Sequence, residues 1–273
     1  MPDALHLVHI VDENLHPVKE LSLYKKLIRR NFYEVIRVLN GNVLFFDDHI
    51  NRFINSCKLG NTIPKYSVSE IKKQIRKLIE ANNFENGNIK FAQIEFEDNT
   101  IAFWAYYIPH YYPTNKEFNN GVKTLTYKAL RENPNSKIEH SDLKIKFTEL
   151  IKSTGVFEIL LVNNNGYITE GSRSNFFVFK QNRVYTAPVS EILPGITRKY
   201  IIQQCNSLGF EIIESSIHLN EIKNYDAWFL SGTSIKILPV NSIDGITIST
   251  NYKPLKKLME TFDKFIENQY SEL

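Results

Sequence analysis

Residues 170 to 198, EGSRSNFFVFKQNRVYTAPVSEILPGITR, constrain this chain more than any other stretch. Glu170 opens it and Asn175 follows five positions on. Phe176, Phe177, Val178 and Phe179 then make an apolar run that reads as a buried strand, with Val184-Tyr185-Thr186 as the returning strand. Beyond a proline-marked loop, Leu193-Pro194-Gly195-Ile196-Thr197-Arg198 predicts a turn whose glycine leads straight into an amphipathic helix. A helix entered this way points free backbone N–H groups outward, an arrangement that binds phosphate.

The 273 residues around that stretch suffice for two medium domains or one large one. A net charge of +3 spread along the chain gives no argument for nucleic acid as a partner. Cys57 and Cys205 form no motif and read as small core residues on helical faces, which fits a reducing compartment. The N-terminus has neither a basic n-region nor a long apolar run, and nowhere do eighteen apolar residues follow one another. The expectation is a soluble, cytoplasmic protein with no membrane partner.

In chain order, residues 5–11 predict a first strand, and 21–30 read equally as strand or helix. Phe32 to Leu39, a turn at Asn40-Gly41-Asn42, and Val43 to Phe46 predict a hairpin. Asp47 is the expected N-cap of a helix whose stripe is Ile50, Phe53, Ile54 and Cys57. Ser67-Val68-Ser69-Glu70 is a capping box opening a second helix. Residues 90–95 and 101–107 predict another hairpin. The segment 108–121, with two prolines and a polar tail, is the best linker, so the expected division is an N-terminal domain over 1–112, a linker over 113–121 and a C-terminal domain over 122–273. In the second part, strands over 122–130, 157–162 and 210–213, a helix around Leu143 to Ile151 and a C-terminal helix carrying Leu255, Leu258, Phe262 and Ile266 complete the reading.

The spacing of Glu170, Asn175, Phe177, Thr186, Leu193, Gly195, Ile196 and Arg198 resembles the signature of the class IV aminotransferases, the fold-type IV pyridoxal 5'-phosphate (PLP) enzymes. That family includes branched-chain and D-amino-acid aminotransferases and aminodeoxychorismate lyase. The resemblance implies a two-domain α+β (α/β) fold, with a smaller N-terminal α/β domain, a larger β-rich C-terminal domain and PLP bound between them. It also implies a homodimer, and transfer of an amino group between an amino acid and a 2-keto acid.

Such chemistry needs one lysine to form a Schiff base with the cofactor and to move protons at the substrate carbon. Asp142-Leu143-Lys144 resembles the tripeptide around that lysine in some relatives, yet only 26 positions separate Lys144 from Glu170, where the family leaves about 32 to 34. Lys137 is 33 positions from Glu170 and ends Arg131-Glu132-Asn133-Pro134-Asn135-Ser136-Lys137, which resembles the arginine-proline-lysine approach of the branched-chain members. Lys137 is therefore preferred, with Lys144 as the alternative.

By the same resemblance Glu170 keeps the pyridine nitrogen protonated, and Asn175 belongs to the cofactor site. Arg52 in its His-x-x-Arg setting binds the phosphate, together with Gly195, Ile196 and Thr197, while Gly232 and Thr233 form a second phosphate-binding turn. Tyr33 falls where relatives place an aromatic near the substrate. His110 matches a histidine that binds the substrate carboxylate in the D-amino-acid enzymes, but Ile108 stands where their arginine would be, which weighs against that branch. The leading expectation is a branched-chain-like aminotransferase, and the alternative is aminodeoxychorismate lyase, releasing pyruvate and 4-aminobenzoate.

Overall fold

A computed structural model describes residues 5–20, 28–130, 134–139 and 141–273. The expectations for residues 21–27 and for Arg131, Glu132 and Asn133 lie outside these. The chain forms two units: Met1–Tyr111 with Ser136–Glu139 and Asn268–Leu273, and Tyr112–Asn135 with His140–Glu267.

The first unit carries strands β1 (Leu5–Val11), β2 (Asn14–Pro17), β3 (Ile28–Leu39) and β4 (Asn42–Leu44), helices α1 (Phe46–Leu59) and α2 (Val68–Asn82), and strands β5 (Gly87–Phe96) and β6 (Ile101–Ile108). Among the described residues these form a seven-stranded antiparallel sheet in the order Tyr270–Ser271, β4, β3, β5, β6, β1, β2. The two-residue period divides β3 between its faces. Phe32, Ile36 and Val38 join Phe91, Phe103 and Tyr107 in packing against Ile50, Phe53 and Cys57 of α1 and Ile71, Ile75 and Leu78 of α2. A second cluster of Ala92, Ile94, Ala102, Trp104 and Tyr106 has Tyr33 packed against it.

Helix α2 opens on the expected capping box, with Ser67 and Glu70 exchanging hydrogen bonds. Helix α1 begins one residue before the expected cap. Phe45, in the left-handed region at φ 53°, turns the chain directly from β4 into the helix, so Asp47 lies inside the first turn and makes no cap bond. There, with Asp48, it is still favourably placed against the positive end of the helix dipole.

The second unit carries α3 (Asn115–Asn120), β7 (Val122–Lys128), α4 (Ser141–Thr154), β8 (Glu158–Val162), β9 (Tyr167–Gly171), β10 (Asn175–Lys180), β11 (Arg183–Thr186), α5 (Ile196–Ser207), β12 (Glu211–Glu214), β13 (Ile217–His218), β14 (Ala227–Gly232), β15 (Lys236–Ile243), β16 (Ile246–Thr247) and α6 (Lys253–Glu267). The sheet runs β12, β11, β10, β14, β15, β7, β8, β9, β13, with β16 beside β15 and a further pairing of β9 with β10. Pairs β7–β8, β7–β15 and β11–β12 are parallel and the rest antiparallel. Leu160, Ile168, Phe176, Val178, Trp228, Leu230 and Leu238 make one core cluster. Residues 115–120 are helical because Thr114 and Glu117 form a second capping box, the same signal that Ser67 and Glu70 give. No helix among the described residues is long and apolar enough to cross a membrane.

Candidate active site

In the first unit, β3 and α1 bring a carboxylate, an imidazole and a guanidinium together. Glu34 lies on the helix-facing side of β3 and is fully buried. Arg52 donates to it through Nε at 2.7 Å and through Nη2 at 2.6 Å, and His49 approaches through Nδ1 at 2.8 Å. Burial pushes the Glu34 carboxyl up, but the Arg52 charge and hydrogen bond, with those of His49, outweigh it and hold the group down at about 2. Burial lowers His49, and Arg52 and Lys137 lower it further, against the raising effect of Glu34. His49 is thus neutral near pH 7 and donates its Nδ1–H to the ionised carboxylate.

Lys137 reaches the same group of residues from a segment stitched to the edge of β3. Tyr33 N–H donates to the Lys137 carbonyl at 3.1 Å, Glu139 N–H donates to the Asn31 carbonyl at 3.1 Å, and Phe32 bridges Ile138. On the other side Lys137 N–H donates to Ser56 Oγ at 3.1 Å, and Ser136 Oγ to the Ser56 carbonyl at 3.3 Å. The Lys137 amine stands 4.8 Å from the centroid of the Tyr33 ring, and that of Lys90 4.5 Å from the same centroid. Lys144, by contrast, is exposed on α4.

Tyr33, Arg52 and Lys137 are therefore brought together, whereas His110 is set apart. Register places Tyr33 opposite Ala92 and Ala92 opposite Trp104, and His110 lies six residues beyond Trp104 along the chain, about 20 Å at the rise of a strand. Its ring lies near Gly87, and its Nδ1 approaches the Ile108 carbonyl at 3.4 Å.

In the second unit, Asn175 organises the site. It pairs with Glu170 across β9 and with Ser231 across β14, so the three lie in one row. Its Nδ2 donates to the Leu193 carbonyl at 3.0 Å, while Leu193 N–H donates to Glu170 Oε2 at 3.1 Å. A Cβ on Gly195 would lie 2.0 Å from Asn175 Oδ1, so only glycine lets the start of α5 approach this closely. Helix α5 begins at Gly195 with no side-chain cap and no acid in its first turn, and Ile196 and Thr197 are buried. The Ser231 hydroxyl is buried with no hydrogen-bond partner among the described residues, and Gly232 and Thr233 open the β14–β15 turn that follows it. Arg198, the last signature position, acts locally, donating to the Ala187 carbonyl at 3.1 Å and pairing with Glu214.

The loop between Glu170 and Asn175 rests on a residue that no sequence motif singles out. Glu158, fully buried on β8, accepts from Ser172 Oγ at 2.6 Å and Ser174 Oγ at 2.8 Å. Glu34 is likewise absent from the residues expected at the site. A carboxylate alternating with Phe32, Ile36 and Val38 on a core-facing strand edge was the available signal, because a buried charge requires a partner.

Residues 31–243 match the family model described as amino-transferase class IV. The chain belongs to the class IV aminotransferases. A D-alanine aminotransferase of Bacillus licheniformis is 32% identical to this aminotransferase over 84% of each chain. A probable branched-chain-amino-acid aminotransferase of Rickettsia bellii is 27% identical, over 97% of this chain and 93% of its own. Among solved structures, the Escherichia coli branched-chain amino acid aminotransferase superposes with a TM-score of 0.84 at 21% identity, covering 96% of the aminotransferase and 95% of that chain. The branched-chain aminotransferase of the archaeon Thermoproteus uzoniensis, solved with norvaline, gives 0.81 at 22% identity over 97% and 96%. These two likenesses show the fold, of the mixed helix-and-strand type that the sequence predicts.

Proposed function

We propose that the aminotransferase uses PLP to move an amino group between a branched-chain-type amino acid and a 2-keto acid, with Lys137 as the reactive amine. The observation that carries this reading is the double backbone anchorage of Lys137, between Ser56 and β3, with its amine over Tyr33, while Lys144 is solvent-exposed. The residues of the second unit fit a phosphate dianion: an uncapped helix start at Gly195, Ile196 and Thr197, the Thr233 turn, and a buried Ser231 hydroxyl lacking a partner among the described residues. By the family reading Arg52, held in one orientation by Glu34 within the first unit, is a phosphate-binding cation. When bound, PLP supplies the aldehyde that takes up the amino group and a ring that withdraws electrons from the substrate carbon.

With PLP bound, Lys137 would take the substrate Cα proton as a neutral amine, and Glu170, oriented by Leu193 N–H, would hold a proton on the ring nitrogen. Asn175 and Gly232 keep their turns at the cofactor, and Tyr33 borders the substrate. The apolar cluster of Ala92, Ile94, Trp104 and Tyr106 against Tyr33 supports an aliphatic substrate side chain. Similarity to D-alanine aminotransferases supports D-alanine as a second reading, against which Ile108 and the remoteness of His110 weigh. The family reading extends to a homodimer, checked by light scattering at twice the chain mass. It extends also to the cytoplasm, a reading supported by two buried, unpaired thiols and checked by fractionation of the source cell.

The deciding experiment incubates the PLP-loaded protein with 2-oxoglutarate and single amino acids: L-leucine, L-valine, L-isoleucine and D-alanine. Glutamate formation from the branched L-amino acids is expected, with a loss of at least about 10³-fold in Lys137→Ala and little change in Lys144→Ala. Turnover of D-alanine alone, or pyruvate release from aminodeoxychorismate without amino transfer, would replace the substrate assignment, and retention of activity in Lys137→Ala would remove the lysine assignment.

A further inference from the structure

Lys90 is an unusual residue for its place. It lies in the middle of β5 with only 7% of its side chain exposed, next but one to Ala92, which belongs to the apolar cluster against Tyr33. A lysine so enclosed requires a counter-charge, because an unpaired buried ammonium is strongly unfavourable. Glu139 provides it. Its Oε2 lies 2.6 Å from Lys90 Nζ and also accepts from Asn31 Nδ2 at 2.7 Å.

The pair sits beside the proposed reactive amine. Glu139 is two residues beyond Lys137 on the segment stitched to β3. The amines of Lys90 and Lys137 stand 4.5 and 4.8 Å from one ring centroid, so they are at most about 9 Å apart. At that range a positive charge makes a neighbouring amine harder to protonate, and a carboxylate makes it easier.

We propose that Lys90 and Glu139 together set the pH at which the Lys137 amine gives up its proton, Lys90 lowering it and Glu139 raising it. This rests on Lys137 being the reactive amine. The other charged or titratable groups packed near Lys137 include Glu34 and Tyr33 from β3, and His49 and Arg52 from α1. Glu34 and Arg52 pair with each other, and His49 is neutral and bonded to Glu34. Tyr33 presents its ring to both amines.

The test measures Lys137 directly, on the full-length chain treated with hydroxylamine to release any Schiff-base aldehyde and then dialysed. Trace labelling with acetic anhydride over a pH series, read by peptide mass spectrometry, gives the midpoint at which Lys137 becomes reactive. Lys90→Met is expected to move that midpoint up by about one pH unit, and Glu139→Gln to move it down by about one unit. Lys90→Arg, which keeps the charge, is expected to leave it in place. If Lys90→Met does not fold, Glu139→Gln decides alone: a downward shift supports the proposal, and no shift or an upward one overturns it. Two single variants moving in the same direction would likewise overturn it. Failure of the lysine assignment would appear separately, as amino transfer retained by Lys137→Ala, and would leave these midpoints as measured.

Discussion

Gly195 is required for contact and not for backbone freedom. Its φ of −65° is open to any residue, yet a Cβ would meet Asn175 Oδ1 at 2.0 Å. Gly195→Ala is therefore expected to push Asn175 off the Leu193 carbonyl and to cost about 1–3 kcal/mol in urea unfolding, as overpacking does. PLP affinity, followed by absorbance on reconstitution, is expected to fall with it, and an unchanged urea midpoint would show that the turn yields without strain. The importance of Gly195 was legible in the chain, since the turn and helix entry lie within a few residues of it. The reason was not, because Asn175 is twenty positions away and meets Gly195 only after β10 and α5 have packed. Lys90 and Glu139 are a stronger case, a pair separated by 49 positions with no local motif to join them.

At the scale of elements, the packing of α1 on β3 carries a pH dependence through Glu34 and His49. Glu34 is held at about 2 against an ordinary value of 4.5, so its contribution, about 3 kcal/mol by linkage, is complete above pH 4.5 and is lost as pH falls through about 2. His49 is also lowered, from 6.5, so the folded state resists protonating it and loses stability as pH falls below about 6.5. Urea midpoints are expected to be level above pH 7 and to decline on the acid side, first from His49 and then from Glu34. Glu34→Gln should abolish the second stage, and a midpoint that rises toward acid would contradict the arrangement. The helices themselves were largely readable: Ser67 and Glu70 announce α2, and Thr114 and Glu117 announce α3 by the same rule, although prolines and polar residues nearby make that segment look like a linker. The cap of α1 lies two residues before the expected one, because a left-handed Phe45 is not a conformation that a phenylalanine advertises.

At the scale of the whole molecule, the chain does not divide at a single point. Ser136–Glu139 and Asn268–Leu273 both belong with the first unit. The last segment pairs Tyr270 and Ser271 with β4 and buries Leu273 in the core beside α1 and α2. Removing residues 268–273 is expected to destabilise that unit by about 2–3 kcal/mol, the worth of one buried leucine and its flanking pairs. Hydrogen exchange should then quicken in β3 and β4 while β10 and β14 keep their protection, and uniform exchange across both units would refute this division of stability. The sequence by itself determined the family, most of the strands and helices, and the run from Glu170 to Arg198, since alternation, capping and turn chemistry act within a few residues of one another. Only the tertiary structure decided what surrounds Lys137: Tyr33, Ser56 and the paired charges of Lys90 and Glu139. Those neighbours follow from sheet register and from the return of a late segment to an early strand, and contacts made across such distances in the chain leave no periodic trace in it.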